Sequence, residues 1–233
     1  MYDVDESIVI DESRKSVASE LMRDVYLWMT VGIALTGVVA WLVAGSPALL
    51  SVIFGSKLMF YGIFVVELIL VIILSAALDN LSFLAAEIMY TVYCALNGLT
   101  LSVLFMAYEL SSVGQVFFVT AGAFALLALY GTFTKRDLSG WGTFLLMALG
   151  GMIIASLVGL LLGRPESILM SIIGVVIFAG LTAYDANTIR TMMLNQDSVN
   201  EGNMKLALRG ALALYLDFIN LFLRLLSLMG NKK

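Results

Sequence analysis

Long apolar runs separated by short polar connections make up most of the chain after residue 24. A membrane-spanning helix needs about 20 predominantly apolar residues, and seven runs reach that length. They are Val25–Ala44, Leu58–Leu78, Phe83–Tyr108, Val113–Phe133, Trp141–Leu162, Ser167–Thr188 and Leu206–Met229. The pattern predicts an all-α integral membrane protein, with one domain of seven transmembrane helices over residues 25–229.

Polar segments lie at both ends of this domain. Residues 1–24 carry seven acidic and three basic side chains, which predicts a polar, acidic, water-facing tail, while residues 230–233 form a short basic C-terminus. Within the domain, the boundary between the second and third spans depends only on Asp79 and Asn80. Pro47 falls in the predicted loop between the first two spans, so it does not kink either of them.

Composition supports a membrane environment and excludes several kinds of chemistry. The chain is 61% hydrophobic and 13% charged, with a mean hydropathy of +1.00, whereas soluble domains are about 45–50% apolar and about 25% charged. Cys94 is the only cysteine and histidine is absent. Disulfides within the chain, thiolate metal clusters and Ser-His or Cys-His catalysis are therefore excluded. Any pH response near neutrality must use carboxyl groups, and we expect no nucleic-acid partner.

Basic residues predict the orientation of the chain. With an amino terminus on the cytoplasmic side, more basic residues fall in inner loops than in outer loops, as the positive-inside rule requires. The inner loops hold Lys135, Arg136, Arg190, Lys205 and Arg209, and the outer loops hold Lys57 and Arg164. Lys232 and Lys233 would then lie outside, against the rule. A final segment that re-enters the membrane without crossing it would remove this conflict.

Asp185 and Asp217 lie inside the last two apolar runs. A carboxylate at the centre of a membrane helix costs about 2.5–3.5 kcal/mol, so each aspartate should face the protein interior. Asp185 comes five residues before Arg190 and Asp217 comes eight residues after Arg209. At 1.5 Å per residue, both lie roughly 7–12 Å from the same cytoplasmic boundary. We therefore expect the two carboxyl groups to meet, and either to share a proton or to hold a cation.

A polar stripe runs along the seventh span through Asp217. Its members recur every three or four residues and share one helical face: Gly210, Ala213, Asp217, Asn220 and Arg224. Such a stripe in an apolar helix points inward, which predicts that the last helix is surrounded by the others. Asn220 and Arg224 are candidate pathway residues, although Arg224 near the outer interface could instead extend its charged group toward water.

Glu67 lies near the middle of the second span, between Val66 and Leu68. That span contains no basic residue able to pair with it. Glu67 is a further candidate pathway residue. The alternative is a structural role, in which a protonated glutamic acid forms a hydrogen bond with a neighbouring helix.

Four segments of the chain resemble the Bax inhibitor-1 family, also called the transmembrane Bax inhibitor motif family. They are YCALNGLTLS at Tyr93–Ser102, YGTFTKRDLSGWG at Tyr130–Gly142, GLTAYDANTIR at Gly180–Arg190 and LYLDFINLFLRLL at Leu214–Leu226. The segments occur in order and the likeness extends from the first helix to the end of the chain. Four ordered motifs make a far more specific match than any single motif.

The resemblance implies a seven-helix bundle with a central last helix, acting as a calcium leak pathway that responds to pH. Asp185 and Asp217 match the family's di-aspartyl pH sensor, so they would be both the sensor and the metal site of the calcium pathway. Ca²⁺ would be the transported ion, with no permanently bound cofactor. Some members also have a basic residue in the second helix that interacts with the sensor, and Leu58–Leu78 has none.

Two other functions remain open from the sequence. Intramembrane aspartyl proteases also use a Tyr-Asp dipeptide, which Tyr184 and Asp185 match, and two carboxyl groups that share a proton can activate water. These proteases have Gly-x-Gly before the second aspartate, however, and here Tyr215 and Leu216 precede Asp217. We therefore expect no enzymatic activity. The second alternative is a membrane-embedded regulator that suppresses stress or cell death by binding other membrane proteins. The short chain favours a bacterial inner membrane.

Overall fold

The computed structural model describes residues 3–134, 136–163 and 167–233, and it describes their side chains except at residues 3–11, 160 and 161. These residues form nine α-helices and one short 3₁₀ helix. The α-helices are α1 (Asp3–Ala44), α2 (Pro47–Gly55), α3 (Lys57–Ala76), α4 (Phe83–Leu101), α5 (Val103–Ala107), α6 (Leu110–Phe133), α7 (Ser139–Leu161), α8 (Ile168–Leu194) and α9 (Glu201–Met229). Among the residues that the structure describes, seven helical segments are long and apolar enough to cross a membrane. The predicted fold class is confirmed.

The segment predicted as an acidic tail forms the beginning of α1. This helix starts at Asp3 and continues without a break to Ala44. Several residues before the first apolar run are packed inside the protein, and Ala18 and Leu21 are 3% and 0% exposed. Arg14 also pairs with Asp197, at 2.8 Å from Nε to Oδ1. The second half of the tail is therefore docked against the protein rather than fully water-facing.

Two local features differ from the predicted spans. Pro47 does not lie in an irregular loop but begins α2, where its missing N–H costs nothing because the first turn has no helical acceptor for it. Ser46 caps this helix by accepting a hydrogen bond from the Leu49 amide at 3.4 Å. The third span is also interrupted, because α4 ends at Leu101 and α5 begins at Val103. By contrast, the uncertain boundary at Asp79 is confirmed by the 3₁₀ helix at Leu78–Asn80.

The chain divides into two compact units. The first comprises Met1–Met106 with Ile189–Tyr215, and the second comprises Ala107–Thr188 with Leu216–Lys233. In the first unit, α1 and α4 approach closely at Gly98, where an added Cβ would lie 2.7 Å from the Thr36 carbonyl oxygen. Glycine is therefore needed at this crossing.

The core of the second unit is formed by α7, α8 and the second half of α9. Its buried side chains are Leu145, Met152, Ile177, Phe178, Leu181 and Leu221. Gly180 lies against Leu145, whose methyl carbons would be 2.9 Å from a Cβ at that position. This close contact between α7 and α8 holds the stretch of α8 that carries Asp185.

The last helix is the most enclosed of the spans that the structure describes. Half of its apolar window is buried, compared with 17–39% in the other six. This burial agrees with the predicted central last helix. With 29 residues, α9 is about 43 Å long at 1.5 Å per residue, enough to cross a bilayer. It is continuous, which does not support a re-entrant final segment.

Three side chains on the first turns of α9 hold the connection between the second and third spans. Glu201, Lys205 and Arg209 follow one another at intervals of four residues and so share a helical face. Glu201 accepts a hydrogen bond from the Phe83 amide at 2.9 Å, at the start of α4. Lys205 donates to the Asp79 carbonyl at 3.2 Å, and Arg209 pairs with the Asp79 carboxylate at 3.1 Å. We call these three residues the α9 clamp.

Candidate functional site

The carboxyl groups of Asp185 and Asp217 lie close enough to each other to form a hydrogen bond. Asp185 lies on α8 and is partly buried, whereas Asp217 lies on α9 and is only 5% exposed. Both residues belong to the second unit. The structure thus brings together the two aspartates that the sequence placed at similar depths.

This contact has a consequence for the proton content of the pair. Two ionised carboxylates are acceptors only, so a hydrogen bond between them requires a proton on one of them. Asp217 Oδ2 is buried and has no donor among the described residues. If both groups were ionised, this oxygen would be buried beside a second negative charge with nothing to compensate it. The geometry therefore fits a pair that shares one proton.

Glycines on two neighbouring helices allow α8 to pack closely on either side of Asp185. The Ala183 carbonyl lies directly against Gly131 of α6, and the ring of Tyr184 lies over Gly142 of α7, so that a Cβ at either glycine would overlap them. Asn187 Nδ2 donates to the Gly131 carbonyl at 3.0 Å. These contacts fix the rotation of α8 and therefore the direction of the Asp185 side chain.

An aromatic cluster follows Asp217 on α9. The ring of Phe218 is 5.6 Å from that of Phe117 and 5.5 Å from that of Phe124, both on α6, in edge-to-face arrangements. Phe222, one turn later, lies 6.2 Å from Phe117. Phe124, Phe218 and Phe222 are buried. The rings therefore pack α9 against α6 immediately after Asp217 in the chain.

Polar residues continue along α8 and α9 beyond the pair. Asn220 is partly buried and its amide donates to the Leu216 carbonyl at 2.8 Å. The side chain of Arg224 lies against Gly174 of α8, where a Cβ would be 2.7 Å from Cδ. One turn further, Ser171 and Ser227 share a hydrogen bond of 3.0 Å. The stem of Arg224 is therefore packed against α8 rather than directed only toward water.

Glu67 belongs to the first unit, not to the unit that contains the aspartate pair. It is 7% exposed, and Thr100 Oγ1 lies 3.1 Å from Glu67 Oε1. Tyr93, also on α4, interacts with Glu67 and accepts a hydrogen bond from Asn97 Nδ2 at 3.3 Å. The carboxyl group of the second span is thus buried in a polar contact with α4.

Sequence reasoning missed the hydrogen bonds around Tyr215. This residue is 0% exposed, and its hydroxyl lies 2.7 Å from Thr36 Oγ1. Thr36 in turn donates to the Cys94 carbonyl at 2.8 Å. The ring of Tyr215 also meets those of Tyr90 and Tyr93 edge to face. Only the presence of a tyrosine in the middle of an apolar helix could have suggested a buried hydroxyl needing a partner.

The pair could bind a cation only with help from other ligands. The described residues contain no group of three or more His, Cys, Asp or Glu side chains arranged to hold a metal. Calcium takes about six to eight oxygen ligands, more than two carboxylates supply. Backbone carbonyls or water would have to provide the rest.

The fold and the site together define an integral membrane protein of seven helical spans with a carboxyl pair shared between the last two. A family model described as "Inhibitor of apoptosis-promoting Bax1" matches residues 18–233. The chain therefore belongs to the Bax inhibitor-1 family, which confirms the resemblance seen in its motifs.

Bacterial proteins of similar length are close relatives. "Inner membrane protein YbhL" of Escherichia coli (strain K12) is 45% identical over 215 residues, which cover 91% of this chain and 92% of that protein. "Uncharacterized protein RP147" of Rickettsia prowazekii (strain Madrid E) is 34% identical over 243 residues and covers 100% of both chains. The similarity thus extends over the whole seven-helix segment.

Proposed function

We propose that this protein is a pH-responsive pathway for passive calcium movement across a bacterial inner membrane. One observation carries the proposal: the carboxyl groups of Asp185 and Asp217 lie within hydrogen-bonding reach of each other inside membrane-spanning helices, and Asp217 is buried. Membership of the Bax inhibitor-1 family supports it, because the resemblance implies a calcium leak controlled by these aspartates. The name of the Escherichia coli relative supports the inner membrane.

The shared proton is the proposed control element. With one proton, the pair forms a hydrogen bond that holds α8 and α9 together. When that proton leaves, two negative charges repel each other in a medium of low dielectric. They also become hard oxygen ligands of the kind that calcium prefers. Protons and calcium therefore compete for one site, and raising the pH should increase the apparent affinity of the pair for calcium.

Asn220 and Arg224 are the proposed continuation of the pathway on α9. They follow Asp217 by three and seven residues and share its helical face. The amide oxygen of Asn220 is a suitable ligand for a cation in transit. The positive charge of Arg224 would slow cations that approach the pair, which fits a leak rather than a high-conductance channel.

Calcium flux into proteoliposomes, measured at a series of pH values, tests the proposal. We expect flux that varies with pH in the wild type and loses this variation in Asp185→Asn and Asp217→Asn. Asp137→Asn is a matched control, because Asp137 is fully exposed outside the membrane spans, where hydrogen bonds from Ser139 lower its pKa. Unchanged flux and an unchanged pH profile in Asp217→Asn would show that the pair is not the sensor.

An intramembrane aspartyl protease is the second candidate function, and the contact between the two aspartates is the observation that favours it. The absence of Gly-x-Gly before Asp217 argues against it. The two proposals give different results with a fluorescent transmembrane peptide in the same liposomes. Cleavage by the wild type that disappears in Asp185→Asn would favour the protease, and no cleavage would favour the leak pathway.

A further inference from the structure

Glu67 is a buried carboxyl group that the proposed calcium site does not use. It is the eleventh residue of α3 (Lys57–Ala76) and so lies roughly 15 Å from either end of that helix at 1.5 Å per residue. A carboxylate at such a depth in a membrane helix is unfavourable unless it is compensated by a partner or neutralised by a proton. The groups that surround Glu67 decide between these two possibilities.

The hydroxyl of Thr100 is the nearest hydrogen-bond partner of Glu67. Thr100 Oγ1 lies 3.1 Å from Glu67 Oε1 and 3.0 Å from the carbonyl oxygen of Asn97. A hydroxyl has one proton to donate. In a helix, threonine commonly donates that proton to a carbonyl three or four residues earlier, which here is Asn97. The contact between Thr100 and Glu67 is then a hydrogen bond only if Glu67 is the donor.

Charged groups near Glu67 offer no alternative compensation within the described residues. The titratable side chains close enough to interact with it are the phenols Tyr93 on α4 and Tyr215 on α9. Helix α2, which also packs against α3, has no titratable residue. Lys57 and Asp79 are ten and twelve residues away along the chain, near opposite ends of α3. Glu67 is therefore surrounded by hydroxyl groups rather than by cations.

We propose that Glu67 binds an exchangeable proton and donates it in a hydrogen bond to Thr100, forming a proton-binding site separate from the aspartate pair. In the protonated state the chain of donors runs from the Glu67 O–H to Thr100 Oγ1, and from the Thr100 O–H to the Asn97 carbonyl. When the proton is released to water, the Thr100 hydroxyl rotates to donate to the carboxylate. The Asn97 carbonyl then loses this hydrogen bond.

The position of Thr100 gives the proton a structural effect. Thr100 is one residue before the end of α4 at Leu101, where the third span is interrupted. Ser102, within the interruption, is 0% exposed and donates to the Leu99 carbonyl at 2.6 Å. Two hydroxyl groups thus donate additional hydrogen bonds to backbone carbonyls at this point. Ionisation of Glu67 changes one of them and so alters the join between α4 and α5.

Infrared difference spectroscopy of the full chain in lipid tests the proposal directly. The C=O stretch of a protonated carboxyl group is separate from carboxylate bands and shifts when the exchangeable proton is replaced by deuterium. The aspartate pair contributes a band of this kind as well, so we expect the wild type to show a further component that disappears in Glu67→Gln and persists in Asp217→Asn. Glu109→Gln is the matched control at an exposed glutamate, and it should leave the band unchanged.

Threonine variants provide a second measurement should Glu67→Gln fail to fold. Thr100→Val removes the acceptor, so the band should remain but shift in frequency, and Thr100→Ser should restore the wild-type position. A spectrum from which Glu67→Gln removes no component, or in which the Glu67 component is unmoved by Thr100→Val, would overturn the proposal. Neither result depends on calcium flux, so the inference can fail while the proposed function stands, and the reverse is equally possible.

Discussion

Asp217→Asn should change how the stability of the protein depends on pH. In the proposed state the wild-type pair shares one proton, whereas two separated aspartates in the denatured chain have released theirs above about pH 4. The native state then binds one more proton than the denatured state. By linkage, the free energy of unfolding falls by about 1.4 kcal/mol for each pH unit above that point, until the native pair loses its proton. Over two pH units the loss is about 2.7 kcal/mol.

In Asp217→Asn, the introduced amide can donate to the Asp185 carboxylate without any proton from solution. The slope that arises from the pair should therefore vanish. Reversible unfolding in mixed micelles, followed by tryptophan fluorescence at a series of pH values, measures the difference between wild type and variant. Other acidic residues contribute equally to both proteins and cancel in this difference. If the free energy of unfolding changes with pH in the same way in the wild type, in Asp217→Asn and in the control Asp137→Asn, the pair does not share a proton.

Two further variants test the packing around the candidate site, each through the same unfolding measurement. Thr36→Val leaves the buried hydroxyl of Tyr215 without its partner at 2.7 Å and should lower the free energy of unfolding by about 1–3 kcal/mol. Thr36→Ser keeps a hydroxyl and should lower it less. Equal losses in the two variants would contradict a role for the hydroxyl. Gly142→Ala places a Cβ in the ring of Tyr184 and should cost about 1–3 kcal/mol through overpacking. Gly150→Ala in the same helix has open space around it and should cost nothing.

Hydrophobic pattern was sufficient to predict the seven spans, because a bilayer imposes a minimum apolar length on every crossing. Their ends were less accurate. The helix of the sixth span continues to Leu194, beyond its predicted end at Thr188. The helix of the seventh span begins at Glu201, before its predicted start at Leu206. Polar residues in these extra turns remain helical because backbone hydrogen bonds do not require an apolar environment. An apolar run therefore predicts the part of a helix that lies in the membrane, and the helix itself can be longer.

Depth along the helices was enough to place Asp185 beside Asp217, since antiparallel neighbours bring residues of equal depth together. The partner of Glu67 could not be found in this way. Many hydroxyl groups lie at similar depth, and only the rotation of α4 about its axis brings Thr100 to Glu67 at 3.1 Å. Such rotation depends on close crossings like that at Gly98, which involve side chains distant in sequence.

The α9 clamp imposes an order on the assembly of the protein. The amide of Phe83 finds its acceptor in Glu201, 118 residues later, and the carbonyl of Asp79 finds Lys205, 126 residues later. A ribosome completes the second and third spans long before it makes either partner. The first helical hairpin in the membrane therefore lacks these contacts until α9 is made, and a nascent chain stopped before residue 201 would leave its connection without them.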